Sequence, residues 1–133
     1  MAYLLDTCAL SDYLKGEPNT IKRFHRTKPY NIYLSSITIL EIDYGLRLKP
    51  SLLKKINPHL QAIYQKVKIV DFSPTEAKAA AKIRSDLKQI GNPIGYYDLL
   101  IAATAWVHNL VVVTSNTKEF SRVEDLQLEN WRL

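Results

Sequence analysis

Short, mostly apolar runs alternate along this chain with longer stretches in which apolar residues recur every three or four positions. Tyr3-Leu4-Leu5, Ile32-Tyr33-Leu34, Val67–Val70 and Val111–Val113 belong to the first kind, and each predicts a short strand, the first of them buried. Leu126 and Leu128 predict a last, shorter one. The second kind predicts helices. Leu10, Tyr13 and Leu14 follow Thr7 and stop at Lys15-Gly16, and Ile21 and Phe24 lie in a basic segment that Asn19-Thr20 can cap after Pro18. Ile37, Leu40, Glu41, Tyr44 and Leu48 follow a cap at Ser35 or Ser36, and Pro50 starts a helix through Leu53, Ile56, Leu60, Ile63 and Val67. An alanine-rich helix runs from Ser73-Pro74-Thr75-Glu76 to about Ile90, with Gly91 as its stop, and Gly95-Tyr-Tyr-Asp98 leads into an apolar helix. Short apolar strands separated by helices predict parallel pairing with helices on both faces. The expected fold is α/β, a three-layer α/β/α sandwich with a short, mostly parallel central sheet. Residues 1–133 read as a single domain.

Asp98 departs from this pattern. It is the only formally charged residue between Gln89 and Thr117 and heads the most apolar stretch of the chain. A carboxylate there is costly unless a positive or hydrogen-bonding group meets it. An N-cap, a salt bridge and a metal ion shared with other acids are the three available answers.

Composition narrows the field modestly. The chain is 47% hydrophobic and 23% charged, with a net charge of +5, which suits a phosphate-rich partner without requiring one. Cys8 is the single cysteine, so neither an internal disulfide nor a cysteine-based zinc site is available. His25, His59 and His108 lack metal-ligand spacing. The N-terminus shows no signal-peptide pattern and no apolar run approaches a membrane span, so a soluble cytoplasmic protein without membrane contact is expected.

Open parallel sheets bind ligands beyond the carboxyl ends of their strands. Asp6 ends the first predicted strand, and the segment Thr114–Glu119 follows the Val111–Val113 strand. Glu41 and Asp98 are placed in first turns of helices that can return to the same edge. Glu41 shares a face with Thr38 and Gly45, and Asp98 with Ala102 and Ala105. Each acid alone reads as a cap, a dipole-favoured first-turn residue or a solvated side chain. Three of them in apolar surroundings, without a basic neighbour in sequence, favour a divalent metal. Mg²⁺ and Mn²⁺ prefer carboxylate and water oxygens, and they serve phosphodiester hydrolysis.

Four stretches then carry a resemblance. Tyr3-Leu-Leu-Asp6-Thr-Cys-Ala-Leu, Ser36-Ile-Thr-Ile-Leu-Glu41-Ile-Asp-Tyr-Gly45, Tyr97-Asp98-Leu-Leu-Ile-Ala-Ala and Val113-Thr-Ser-Asn116-Thr-Lys-Glu-Phe120 are similar to the motifs of the PIN domain. More narrowly they resemble the VapC toxins of type II toxin–antitoxin (VapBC) pairs, as does the closing Val123–Trp131 segment. The resemblance implies an endoribonuclease using Mg²⁺ or Mn²⁺, a homodimer, and neutralisation by a cognate VapB-like antitoxin. It matches Asp6, Glu41 and Asp98 to the family's core acids and metal ligands. At the fourth acidic position this chain has Asn116 where many PIN domains have Asp, and Glu119, just before Phe120, is the alternative catalytic acid. Thr7 and Ser115 match small hydroxyl positions that support the site beside Asn116, and Cys8 is assigned packing alone. In-line hydrolysis is implied, leaving a 5′-phosphate and a 3′-hydroxyl.

RNA affinity would come mainly from cations on phosphates. Arg23, Arg26 and Arg47 are the foremost candidates, with Lys22, Lys28, Lys49 and Arg84 behind them; an ordinary solvated helix face is the plainer account of most. Tyr44, Leu48 and Leu52 are candidates for a dimer face, although such a stripe more often lies in a core. Two other enzyme classes fit poorly. A haloacid-dehalogenase-type phosphatase needs a second Asp where Cys8 stands, and a response-regulator receiver needs acid pairs and a late Lys that are missing. The departure at Asn116 keeps one alternative open, a PIN-like module that binds RNA or protein without cutting.

Overall fold

The computed structural model describes all 133 residues. Five strands form one sheet: β1 (Tyr3–Leu5), β2 (Ile32–Ser35), β3 (Lys68–Val70), β4 (Val111–Val113) and β5 (Leu128–Glu129). Seven α-helices connect and flank them: α1 (Thr7–Lys15), α2 (Pro18–Arg26), α3 (Ser36–Arg47), α4 (Pro50–Lys66), α5 (Pro74–Gln89), α6 (Tyr96–His108) and the short α7 (Thr117–Phe120), with a single 3-10 turn at Pro29–Asn31. The strand order is β3-β2-β1-β4-β5 and every pairing is parallel, so no antiparallel strand qualifies the expected sheet.

Side-chain alternation along the strands divides the core into two layers. Leu4 and Val112 join Ala79, Ala80 and Ile83 of α5 and Leu99 to Ala105 of α6 on one face. Leu5, Val113, Ile32 and Leu34 join Leu10 and Tyr13 of α1, Ile42 and Leu46 of α3, Leu60 and Ile63 of α4, and Trp131 on the other. Each large aliphatic side chain so buried contributes about 1.5–3 kcal/mol. Alanines at the α5–α6 contact let the two helices approach closely. Thr104, fully buried within α6, satisfies its hydroxyl by donating to the Leu100 carbonyl at 2.9 Å.

Local chemistry sets the element ends, with some departures from the sequence expectation. Asp6 caps α1, accepting from the Ala9 amide at 2.7 Å, and Gly16 closes the helix with φ +89°, a conformation suited to glycine. Ser35 caps α3, and Ser73 with Glu76 forms a capping box on α5. The cap of α2 is Glu17 rather than Asn19 or Thr20. Its carboxylate accepts from both their amides, leaving the Thr20 side chain to be buried. Val67 belongs to the end of α4, its amide bonded to the Ile63 carbonyl, so β3 starts one residue later. Leu126 packs against the core ahead of β5 instead of joining it.

No helix is long and apolar enough to cross a membrane.

Candidate active site

The strand order reverses direction at β1. The chain winds outward from β1 through β2 and β3, then returns to the other side through β4 and β5. The crevice at the carboxyl ends of β1 and β4 is thus the switch point at which such sheets bind ligands. Leu5 pairs with Val113 and with Leu34, so Asp6 and Thr114 leave the sheet side by side. The Asp6 amide also bonds the Val113 carbonyl at 3.0 Å.

Four acids reach this edge from four elements. Asp6 is 1% exposed, and burial pushes its carboxyl up to about 6; the negative charges of Asp98 and Asp12 add to this, while the Thr114 hydroxyl and the Ala9 amide oppose it. Asp98 is the third residue of α6, whose N-cap is Gly95, so it is a first-turn acid rather than a cap. Its carboxyl also rises to about 6, through burial first and then repulsion from Glu119 and Glu41. Glu41 lies in the second turn of α3, one turn later than expected, and accepts from the Thr7 hydroxyl at 2.6 Å. That hydroxyl lies 3.4 Å from the Thr38 hydroxyl, itself fully buried three residues before Glu41. Glu119 is carried by α7, which the buried Phe120 anchors. It accepts from the Gly95 amide at 2.5 Å and from Asn116 Nδ2 at 2.8 Å, bonds that hold its carboxyl below the usual glutamate range.

Asn116 Nδ2 also stands 3.5 Å from Asp98 Oδ2, so one amide bridges two carboxylates. Asp98 repels or is repelled by each of the other three acids, which makes it the electrostatic centre of the group. None of the four takes part in an ion pair, although the charge of Arg122 adds a smaller downward pull on the Glu119 carboxyl. The ion pairs of the fold lie elsewhere: Arg23–Glu129, Arg47–Asp43, Lys82–Asp86, His108–Glu76 and Arg132–Asp12. As the side chains stand, no three His, Cys, Asp or Glu residues form a ready-made metal-ligand set. Their oxygens are instead engaged by Thr7, the Ala9 amide, Asn116 and the Gly95 amide.

The remaining sequence-predicted residues divide. Thr7 and Asn116 meet the acids, while Ser115 makes no hydrogen bond and its neighbour Thr114 contacts Asp6 instead. Position was the available signal for Thr114, since it follows β4 as Asp6 follows β1. Cys8 is exposed rather than packed, and its thiol is pushed up to about 11 by partial burial and then by the field of Asp6, Asp98, Asp12 and Glu41. Arg23 is held by Glu129 at 2.6 Å and lies over the Trp131 ring, and Arg47 is held by Asp43 at 2.7 Å. Both are therefore engaged within the fold. Arg26 is exposed on α2 without an ion partner.

Known proteins resemble this chain over nearly its whole length. The PIN domain family model matches residues 3–126. "Ribonuclease VapC2" of Rickettsia felis is 35% identical, with 98% of each chain covered. The "tRNA(fMet)-specific endonuclease VapC" of Salmonella typhimurium is 30% identical over the same share of both chains. The crystal structure of DNA-bound VapBC from Salmonella typhimurium contains a chain that superposes with a TM-score of 0.89 at 30% identity, again covering 98% of both. With four acids gathered at the switch point of a parallel sheet and full-length likeness to these proteins, the chain belongs to the PIN-domain family, within its VapC group.

Proposed function

We propose that this protein is a metal-dependent endoribonuclease, the toxin of a toxin–antitoxin pair, acting in the cytoplasm. One observation carries the reading: Asp6, Glu41, Asp98 and Glu119 share the carboxyl edge of the sheet and none of them is closed by an ion pair. Buried carboxylates held against one another are costly, and a divalent cation is the counter-charge that suits an all-oxygen donor set. Mg²⁺ or Mn²⁺ fits this chemistry, with Asp6, Glu41 and Asp98 as the holding residues. When bound, such an ion neutralises phosphate charge and eases deprotonation of a water. The chain's own residues set the geometry. Thr7 orients Glu41, Thr114 and the Ala9 amide orient Asp6, and Asn116 aligns Asp98 with Glu119.

The relatives' names direct the choice of substrate and partner. One is a tRNA(fMet)-specific endonuclease and another a ribonuclease, so transfer RNA is the first substrate to try. The VapBC complex among the solved structures makes a VapB-like antitoxin the expected partner. A second reading, RNA or protein binding without cleavage, draws on the absence of a ready-made ligand set and on Asn116.

One experiment separates the two. Purified protein is incubated with transfer RNA and total RNA in Mn²⁺, Mg²⁺ or EDTA, beside Asp98→Asn, and its melting temperature is followed in the same buffers. Cleavage with either ion, none in EDTA and a loss of at least about a hundredfold in Asp98→Asn are expected, with a rise in Tm on adding Mn²⁺. Undiminished cleavage by Asp98→Asn, or a Tm indifferent to millimolar Mn²⁺, would discard the metal-site reading.

A further inference from the structure

The segment between α5 and α6 has few anchors of its own. Gly91 turns it with φ +69°, the Asn92 amide bonds the Leu87 carbonyl at 2.9 Å, and Ile94 packs against the core. Asn92, Pro93 and Gly95 are exposed. Gly95, the last residue of the segment, is the N-cap of the helix that carries Asp98. α7 is as lightly held, with four residues of which only Phe120 is buried. Two bonds join these pieces. The Gly95 amide donates to Glu119 Oε1 at 2.5 Å, and the Arg122 guanidinium donates through Nη1 to the Pro93 carbonyl at 2.6 Å.

Glu119 and Arg122 lie three positions apart, and the Arg122 amide bonds the Glu119 carbonyl at 3.1 Å, so both side chains leave the same turn of chain. One takes the N–H of Gly95 and the other the C=O of Pro93. A single bond would leave α7 free to pivot about it. Two bonds, two residues apart, fix its orientation against the start of α6. Each involves an ionised group and is therefore stronger than a neutral pair. A Cβ on Gly95 would lie 3.4 Å from Glu119 Oε1, so the carboxylate sits directly against residue 95. Arg122 takes part in no ion pair that would give its guanidinium another task.

We infer that Arg122 is a positioning residue for RNA cleavage. By holding Pro93 it keeps Gly95 against Glu119, and so sets the separation of Glu119 and Asp98 that the Asn116 amide spans. The inference rests on the ribonuclease reading above and adds to it what fixes the fourth acid.

The test follows the Gly95 amide by NMR in protein isotopically labelled at glycine, of which the chain has only 4, beside the kinetics of RNA cleavage in Mn²⁺. An amide proton bonded to a carboxylate resonates downfield, and Glu119→Gln identifies the Gly95 signal by shifting it. Arg122→Ala should move that signal upfield and lower kcat on the order of tenfold with KM little changed, because displacing a placed group slows the chemical step. Arg122→Lys keeps one donor for the carbonyl and should restore most of both. Gly95→Pro removes the amide at a φ of −60°, which proline adopts without strain, and should lose as much activity as Glu119→Gln. Both bonds lie at the surface, so Tm should fall by no more than a few degrees. An unmoved Gly95 signal in Arg122→Ala overturns the inference, as does a lysine variant that recovers the signal without the rate. So does a loss confined to KM, which would make Arg122 a contact for RNA instead. Absence of RNA cleavage by the native chain overturns the ribonuclease reading itself, and the inference with it.

Discussion

The Asp6 carboxylate caps α1 through the Ala9 amide while lying 1% exposed among other acids. The cap favours the residue and the buried charge opposes it. Because its folded pKa is raised from 3.8 to about 6, ionisation disfavours the folded state. The stability associated with the neutral form is complete below about pH 4 and is lost as the pH climbs through 6. Asn caps a helix as well as Asp does and brings no charge. In EDTA, Asp6→Asn should therefore be more stable than the native chain at pH 7, by up to about 3 kcal/mol, with the gain shrinking towards zero at pH 4. Urea unfolding at the two pH values reads this directly, and a less stable variant at pH 7 would contradict it. RNA cleavage should fall in the same variant, because a residue placed for chemistry is not placed for stability.

At the scale of elements, α7 and α5 are held in place by different means. α7 has only four residues and no core face beyond Phe120, so Glu119 depends on the Gly95 amide and Asn116 for its position. α5 instead is locked to α6 by a polar link. Glu76 is 3% exposed, completes the capping box with Ser73 and reaches His108 Nε2 at 3.1 Å. Glu76→Ala removes the cap and leaves the Ser73 amide and His108 unmatched, which should cost about 2 kcal/mol. Glu76→Gln keeps the box and should cost less. Denaturant midpoints check the order, and an Ala variant within about 0.5 kcal/mol of the native chain would mean that the link contributes little.

At the scale of the molecule, the apolar stripe on α3 did not enter the core. Leu40, Tyr44 and Leu48, spaced four residues apart, are 48%, 63% and 65% exposed, and Leu52 on α4 is 39% exposed. A run of large apolar side chains left in water is characteristic of a surface awaiting a partner. A second copy of this chain is the expected occupant, in line with the dimer implied by the family resemblance. Light scattering should report a dimer, and Leu48→Glu should turn it into a monomer with little change in Tm. A native chain that stays monomeric at micromolar concentration would remove this face from consideration.

Short apolar runs and helical spacings predicted nearly every element of the fold, because strand and helix periodicity are local properties that each segment carries in its own residues. The isolation of Asp98 was equally legible, since a lone acid in an apolar stretch announces an unusual environment. The β3-β2-β1-β4-β5 order was not, and neither was the crevice beside Asp6 that it creates. Strand order depends on how separate segments dock, and no residue encodes it alone. The same holds for the cations. Local sequence offers Arg23 as a free charge, but Glu129, more than a hundred positions away, holds it. Residue type and local spacing therefore determined which groups can do the chemistry. Long-range packing decided which of them meet, which are neutralised and which remain free for a substrate.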